Sequence, residues 1–182
     1  MKKCCVFLAE GFEETEAVAI IDILRRGGIS VEIVSITGKI EVCGAHQITI
    51  LADSLFAEAS FDDADMLILP GGMPGASNLS NFAPLKQLLV QFNLYQKAIA
   101  AICAAPFILG EIGLLQGKEA TCYPGFEKQL LGATLSKKKT VISGNIITSV
   151  GIISVLEFGI AIVKYLHGEA IAAQTASALL LE

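Results

Sequence analysis

The stretch Ala98-Ile99-Ala100-Ala101-Ile102-Cys103-Ala104-Ala105-Pro106 decides the fold. An apolar run typical of a buried strand stops at a thiol, and small residues, a proline and a helix-like segment follow. This order predicts a sharp strand-to-helix turn that exposes Cys103 as a nucleophile. The helix that follows would direct N–H groups at the sulfur and favour the thiolate. A buried core cysteine is the alternative, because free cysteines are among the most buried residues.

Strand-like and helix-like segments alternate along the 182 residues. The predicted strands cover 3–8, 31–36, 65–69, 98–102 and 120–122. The predicted helices cover 15–26, 84–95, 107–112, 125–131 and 154–166. Two hairpins are predicted, one within 39–50 around Gly44 and one within 141–149 around Ser143-Gly144-Asn145. The alternation predicts a single α/β domain over 1–182, with a mainly parallel sheet covered by helices on both faces.

Composition and charge exclude several classes of protein. The hydrophobic share is 53%, but the longest apolar segment, 152–166, contains Glu157 and Lys164 and does not predict a membrane helix. The net charge is −5, and the basic run Lys137-Lys138-Lys139 is interpreted as a solvated turn. Nucleic acid is therefore not expected as the main ligand.

The cysteine pattern indicates reduced thiols. The chain has five cysteines and two histidines, and no cysteines are spaced as a CxxC pair. A disulfide scaffold and a zinc site are both disfavoured, so no metal is expected. The apolar part of the N-terminus is too short for a signal peptide. A cytoplasmic protein is the expectation.

Three predicted loops should meet at the carboxyl edge of the sheet, where α/β folds place their sites. These loops cover 9–15, 70–78 and 103–106. They bring together Glu13, Glu14, Glu16, Gly71, Gly72 and Cys103. The sequence therefore predicts a site at this edge.

The glycine pair Gly71-Gly72 allows the backbone to approach a ligand closely. With the N–H of Ala104, its N–H groups can form an oxyanion hole; a simple turn after a strand is the alternative. No G-x-G-x-x-G motif and no phosphate-binding lysine accompany it, which excludes a nucleotide site of those kinds.

The acidic cluster Glu13, Glu14 and Glu16 lies at a predicted helix start, where the helix dipole stabilises carboxylates. One of the three carboxyls can instead approach Cys103. A protonated carboxyl would then donate a hydrogen bond to the thiolate, and the pair would share one proton.

Four motifs occur in a fixed order along the chain. They are Glu10-Gly11-Phe12-Glu13-Glu14-Thr15-Glu16, Leu69-Pro70-Gly71-Gly72, the Cys103 turn, and Glu157-Phe158-Gly159-Ile160-Ala161-Ile162-Val163. Together they resemble the ThiJ/PfpI superfamily, and within it the branch of the Parkinsonism-associated protein deglycase. Some relatives have been described as thiazole monophosphate biosynthesis proteins. The resemblance extends to the tail at Ala172-Ala173-Gln174.

The resemblance implies a flavodoxin-like three-layer sandwich, a homodimer and no cofactor. It implies that Cys103 is the nucleophile and Glu16 the protonated carboxyl beside it, with Gly72 and Ala104 as backbone donors. The implied activity is that of a glyoxalase or deglycase acting on methylglyoxal-like α-oxoaldehydes or their adducts. A non-enzymatic oxidative-stress sensor or chaperone is the alternative.

The sequence departs from the family pattern at three positions. Tyr123 stands where a histidine often accompanies the cysteine, and Val150 stands where the human-like branch has arginine. Ala104 follows Cys103 where the intracellular protease branch has histidine, so protease activity is not expected.

The two histidines have different expected roles. His46 is a candidate for the pocket lining, with a surface loop as the alternative. His167-Gly168-Glu169 resembles the His-x-Glu of class I glutamine amidotransferases, but it follows a long helix and is interpreted as structural. An amidotransferase-like function would require His167 close to Cys103.

Overall fold

The computed structural model describes residues 1–181. Its strands are β1 (Lys3–Leu8), β2 (Ser30–Ser35), β3 (Glu41–Cys43), β4 (Thr49–Leu51), β5 (Ser54–Leu55), β6 (Met66–Leu69), β7 (Ala98–Ile102), β8 (Glu119–Ala120), β9 (Thr134–Leu135), β10 (Thr140–Ser143) and β11 (Ile146–Ser149). Its α-helices are α1 (Glu14–Arg26), α2 (Gly75–Asn81), α3 (Ala83–Leu94), α4 (Pro106–Glu111), α5 (Val155–His167) and α6 (Glu169–Ala178).

A seven-stranded sheet forms the middle layer, in the order β10-β11-β7-β6-β1-β2-β5. Its neighbours pair in parallel, except that β10 and β11 form an antiparallel hairpin. The predicted α/β fold with a mainly parallel sheet is therefore confirmed. Strands β1, β6 and β7 lie side by side, so their carboxyl ends meet at one edge.

Helices cover both faces of this sheet, which makes three layers. One face packs against α1, α5 and α6, and the core between them includes Val6, Ile68 and Phe158. The other packs against α2, α3 and α4, and contains Phe7 and Leu67. Since successive strand residues point to opposite faces, a sheet buried on both sides needs continuous apolar strands. This accounts for the uninterrupted apolar runs in β1, β6 and β7.

Two expectations about local structure are wrong, and one helix was not predicted. The loop expected over 70–78 ends early, because α2 begins at Gly75. The helix expected over 125–131 is reduced to a 3₁₀ turn at Glu127–Gln129. A further helix, α6, follows α5 after Gly168, whose φ of 85° allows the chain to change direction. Helix α6 is rich in alanine and buries few side chains, so it has little apolar periodicity to reveal it.

The two ends of α5 lie at opposite edges of the sheet. The 3₁₀ turn Ile152–Ser154 precedes this 13-residue helix at the carboxyl edge, beside the end of β11. At 1.5 Å per residue the helix carries its last residue, His167, roughly 20 Å from that edge. Within residues 1–181, no helix combines the length and the apolar character needed to cross a membrane.

Candidate active site

Cys103 follows β7 in a strained backbone conformation. Its φ is 64°, in the left-handed region that residues other than glycine rarely occupy. Holding such a conformation costs about 1–3 kcal/mol, which the surrounding structure must supply. The Cys103 N–H donates to the Ser149 carbonyl at 2.9 Å, and the Tyr123 N–H donates to the Cys103 carbonyl at 2.7 Å. The backbone therefore forms the sharp turn expected from the sequence, held by bonds on both sides of the sulfur-bearing residue.

Gly71 lies directly against the Cys103 side chain. A Cβ atom at this position would collide with Cys103 Cβ and would lie 2.7 Å from Glu16 Oε2 and 3.0 Å from Cys103 Sγ. Any side chain here would force the thiol and the carboxyl out of place. Glycine at this position is therefore required by close approach.

Glu16 extends from the first turn of α1 into the space beside Cys103. The residue is fully buried, and its Oε2 accepts the Gly71 N–H at 2.9 Å. Its Oε1 has no hydrogen-bond partner among the described residues. A Cβ added to Gly151 would lie 3.6 Å from this Oε1 and 3.7 Å from Cys103 Sγ, so both atoms face the same space. The free Glu16 oxygen and the Cys103 sulfur therefore both face the space beside Gly151.

Burial governs the ionisation of this pair. It raises the pKa of the Glu16 carboxyl to about 7, opposed by the Gly71 N–H and by the contact with Cys103. Burial also raises the pKa of the Cys103 thiol, and the Glu16 carboxylate raises it further. Two acidic groups in one buried site do not ionise together easily. Near neutral pH the pair therefore retains at least one proton.

The backbone N–H groups of Gly72 and Ala104 oppose this rise by lowering the pKa of Cys103. The sequence predicts only that the following helix favours the thiolate, and it leaves the pKa of the sulfur open. Helix α4 has six residues, so its dipole is small, and burial outweighs the donors. The Gly71 N–H is bonded to Glu16 and is not free to hold an oxyanion.

A cleft of about 930 Å³ opens over the sulfur. Of the predicted site residues, it is lined by Glu16, His46, Gly72, Cys103, Ala104 and Tyr123. Tyr123 is half exposed and occupies one wall, where a Cβ on Gly151 would lie 3.5 Å from its Cδ2. Gly71 lies behind Cys103 and does not line the cleft.

The sequence did not single out several other lining residues. They include Met73, Phe126, Lys139, Ile152 and Ile153. The position of Lys139 could have been inferred from the pairing of the hairpin strands. Because Thr140 pairs with Ser149 in the β10–β11 ladder, the next residue outward, Lys139, lies beside Val150. Extending the predicted hairpin by two pairs, to Lys139 opposite Val150, would have placed this lysine at the site.

The three glutamates at the start of α1 have different roles. Glu13 caps the helix, with its carboxylate accepting the Thr15 N–H at 3.3 Å. Glu14 holds the β3–β4 hairpin, since its carboxylate accepts the N–H of His46 at 2.6 Å and of Ile48 at 3.4 Å. Glu16 alone of the three adjoins the thiol. The sequence left the choice among them to the family resemblance.

His46 stands at the cleft mouth with its side chain largely exposed. Its Nδ1 lies 3.0 Å from Glu14 Oε2 and 3.6 Å from Glu13 Oε2. Both carboxylates raise the pKa of His46, Glu14 more than Glu13. These three residues offer donor atoms within 4.8 Å of one another, but Glu14 already bonds the hairpin. The arrangement is accounted for as a link between helix and hairpin.

His167 lies at the far end of α5 and does not line the cleft. It cannot act as a base for Cys103 across the depth of the sheet. This geometry removes the support for an amidotransferase-like site.

This combination of fold and site agrees with a known family. The profile of the DJ-1/PfpI family matches residues 2–165. The chain belongs to the DJ-1/PfpI family. The family resemblance drawn from the four sequence motifs is thereby confirmed. The flavodoxin-like fold is confirmed by the similarity to solved DJ-1 structures.

Individual DJ-1 relatives match along the whole chain. Protein DJ-1 homolog B of Arabidopsis thaliana is 37% identical over 182 residues, covering 99% of this chain. The Danio rerio Parkinson disease protein 7 homolog is 35% identical over 185 residues, covering 100% of this chain and 98% of that protein. Oxidized DJ-1 from Toxoplasma gondii has a TM-score of 0.95 at 36% identity, covering 100% of this chain and 99% of that one. The chain spans 42% and 47% of Arabidopsis homologs B and A.

The raised pKa of Glu16 makes stability depend on pH. The folded protein binds the Glu16 proton up to about pH 7, whereas the carboxyl has an ordinary pKa of 4.5. The contribution of Glu16 to the free energy of unfolding is therefore fully present below pH 4.5 and is lost as pH rises to about 7, a loss of about 3 kcal/mol.

Urea unfolding of two variants, Cys103→Ala and Cys103→Ala with Glu16→Gln, measures this loss without interference from the thiol. The double variant should gain about 3 kcal/mol relative to the single one over this range. Parallel stability curves would contradict the buried, protonated carboxyl.

Proposed function

We propose that this protein is a cofactor-independent enzyme that converts methylglyoxal-like α-oxoaldehydes into 2-hydroxy acids. The observation that supports it best is the buried Glu16 carboxyl beside the strained, cleft-facing Cys103. A nucleophile and a proton donor at one point are what this chemistry requires. Membership of the DJ-1/PfpI family is consistent with it. Deglycation would use the same attack on a carbonyl adduct.

The reaction begins when the Glu16 carboxylate takes the proton of the Cys103 thiol, and the resulting thiolate attacks the aldehyde carbon and forms a C–S bond. Glu16 gives its proton to the aldehyde oxygen, which completes a hemithioacetal. The resulting carboxylate moves the proton of the former aldehyde carbon to the neighbouring carbon. In the same rearrangement the hydroxyl proton passes from the former aldehyde oxygen to the keto oxygen, and the C=O bond forms again at the sulfur-bearing carbon. The product of this transfer is a 2-hydroxy thioester. Water cleaves the C–S bond, releases the 2-hydroxy acid and restores the thiol, so no external oxidant or reductant is used.

Backbone groups and one aromatic side chain assist this sequence. The N–H groups of Gly72 and Ala104 face the sulfur and stabilise negative charge that develops near it. Tyr123 borders the same space and offers a hydroxyl that can donate a hydrogen bond to the substrate. No histidine is needed as a base, because Glu16 performs both proton transfers.

The test is conversion of methylglyoxal to lactate by the purified protein without glutathione. Cys103→Ala should abolish turnover, and Glu16→Gln should lower kcat/KM by about 10²–10⁴-fold, because an amide cannot exchange the proton. Cys43→Ala, which removes a thiol outside the cleft, should keep wild-type activity. An inactive wild-type protein, or an active Cys103→Ala variant, would refute the proposal.

A redox-sensing role is the second candidate, and it is favoured by the same sulfur environment. Oxidation of Cys103 to sulfinate would add oxygens that can accept the Gly72 and Ala104 N–H groups and the Glu16 proton. The Toxoplasma gondii relative was solved in a form named oxidized. A chaperone-like role has no comparable support in the site.

Mass spectrometry after mild peroxide treatment tests this role. Cys103 should gain two oxygens before Cys4, Cys5, Cys43 and Cys122. Cys43 is the informative internal control, because it is half-buried like Cys103 but lies outside the cleft. Oxidation of Cys43 at the same rate as Cys103 would exclude a dedicated sensor.

A cytoplasmic homodimer is the form in which we propose that the protein acts. A reducing compartment would keep all five free cysteines available as thiols. Exposed apolar side chains cluster on elements that adjoin one another: Val18 on α1, Ile48 and Leu51 on the hairpin that Glu14 holds, and Leu156 at the start of α5. Apolar surface of this kind is typical of a subunit interface.

Sedimentation analysis tests the dimer. Leu51→Glu should shift the protein toward monomer, because a charge would be buried against the partner. Leu131→Glu, at a similarly exposed apolar position outside this surface, should leave the mass unchanged. A monomeric wild-type protein would contradict the proposed assembly.

A further inference from the structure

The cleft is large for the smallest substrates of the proposed reaction. Its volume of about 930 Å³ is near the upper end of the range for small-molecule sites. Methylglyoxal would fill a small part of it beside Cys103 and Glu16. The remaining space can hold a longer substituent on the keto carbon.

The walls of that space are mostly apolar. Phe126, Val150 and Ile153 contribute side chains without polar atoms. Such a wall offers a substrate anion no polar side chain as a partner. A charged side chain on such a wall therefore influences which substrates bind.

Lys139 is the charged residue on this wall. Its carbonyl accepts the Ser149 hydroxyl at 2.9 Å and the Val150 N–H at 3.0 Å, which fixes the backbone beside the cleft. Its ammonium takes part in no ion pair within residues 1–181. The neighbouring Lys138, by contrast, pairs with Glu119 at 3.6 Å. Lys139 is thus a residue of the cleft lining whose positive charge is not paired within residues 1–181.

The other charged groups around the cleft leave no surplus positive charge, because the two carboxylates of Glu13 and Glu14 face a single imidazole. The His46 imidazole lies 3.6 Å from the Glu13 carboxylate and 3.0 Å from that of Glu14. The Glu16–Cys103 pair is confined to the reacting end. A substrate anion reaching away from Cys103 would therefore find its counter-charge at Lys139.

We propose that Lys139 is a specificity-determining residue that makes the site prefer α-oxoaldehydes with a terminal carboxylate. The inference rests on the proposed α-oxoaldehyde chemistry and adds the substrate class to it. The aldehyde reacts at Cys103 while the carboxylate, at the other end of the substituent, binds the Lys139 ammonium. Water adds and hydrogen moves from the aldehyde carbon to the keto carbon, as for methylglyoxal. The product is a 2-hydroxy diacid.

The test compares two substrates of equal chain length, 4,5-dioxopentanoate and its uncharged counterpart 2-oxopentanal. Wild-type kcat/KM should be about fivefold higher for the carboxylate, as expected for one partly exposed ion pair. The difference should lie mainly in KM, because the pair forms in both ground and transition states. It should shrink at high ionic strength.

Substitutions assign the preference to this residue. Lys139→Ala should remove the preference, Lys139→Glu should reverse it, and Lys139→Arg should restore it. Lys137→Ala is the matched control, because it removes an exposed charge from the same run outside the cleft. It should leave both substrates unchanged. Equal effects of Lys139→Ala on both substrates, or equal effects of Lys137→Ala and Lys139→Ala, would overturn the inference.

A binding measurement separates this inference from the proposed function. If the wild-type protein turns over neither substrate, the proposed function fails, and calorimetry with 2-hydroxyglutarate and 2-hydroxypentanoate examines Lys139 directly. Tighter binding of the diacid that disappears in Lys139→Ala would retain Lys139 as an anion-binding residue. Equal binding of both acids would reject it. Turnover of 2-oxopentanal and 4,5-dioxopentanoate at equal kcat/KM would reject the role of Lys139 but would support the proposed enzymatic function.

Discussion

The buried contact between the Glu16 carboxyl and the Cys103 thiol is the constraint on which the site depends. Two acidic groups excluded from water retain at least one proton between them, because a second negative charge in the same place is costly. The structure maintains this contact through Gly71, which has no side chain to separate the groups and whose N–H holds Glu16 Oε2. The strained backbone of Cys103 is the other requirement, since it turns the sulfur toward the carboxyl and the cleft.

The fold serves this contact by bringing distant segments to one sheet edge. Parallel strands β1, β6 and β7 end side by side, and the residues that follow them provide Glu16, Gly71 and Cys103. Strand β11 ends at the same edge and adds Val150 and Gly151, while its hairpin partner β10 brings Lys139 alongside. The reacting groups therefore follow strands β1, β6 and β7, and the β10–β11 hairpin provides the shape and charge of the outer wall.

Most elements were predictable because strands buried on both faces and helices with an apolar stripe leave strong patterns. Strand β1 and strand β7 have the predicted bounds, and α1 differs by one residue at its start. The failures have two physical reasons. Helix α2 opens with Gly75 inside a loop-like run, and 125–131 forms only a 3₁₀ turn, so the local pattern is a poor guide in both segments. Helix α6 is rich in alanine, a strong helix former, but it buries few side chains and therefore has little apolar periodicity.

The sequence by itself determined the α/β architecture, the strand-to-helix turn at Cys103 and the edge at which Glu16, Gly72 and Ala104 gather. These follow from local patterns and from the rule that parallel strands end together. Only the tertiary structure decided that the thiol pKa rises, that the Gly71 N–H holds a carboxyl, and that Lys139 lines the cleft. A pKa and a hydrogen bond depend on burial and on neighbours far apart in the chain, and a local pattern contains neither.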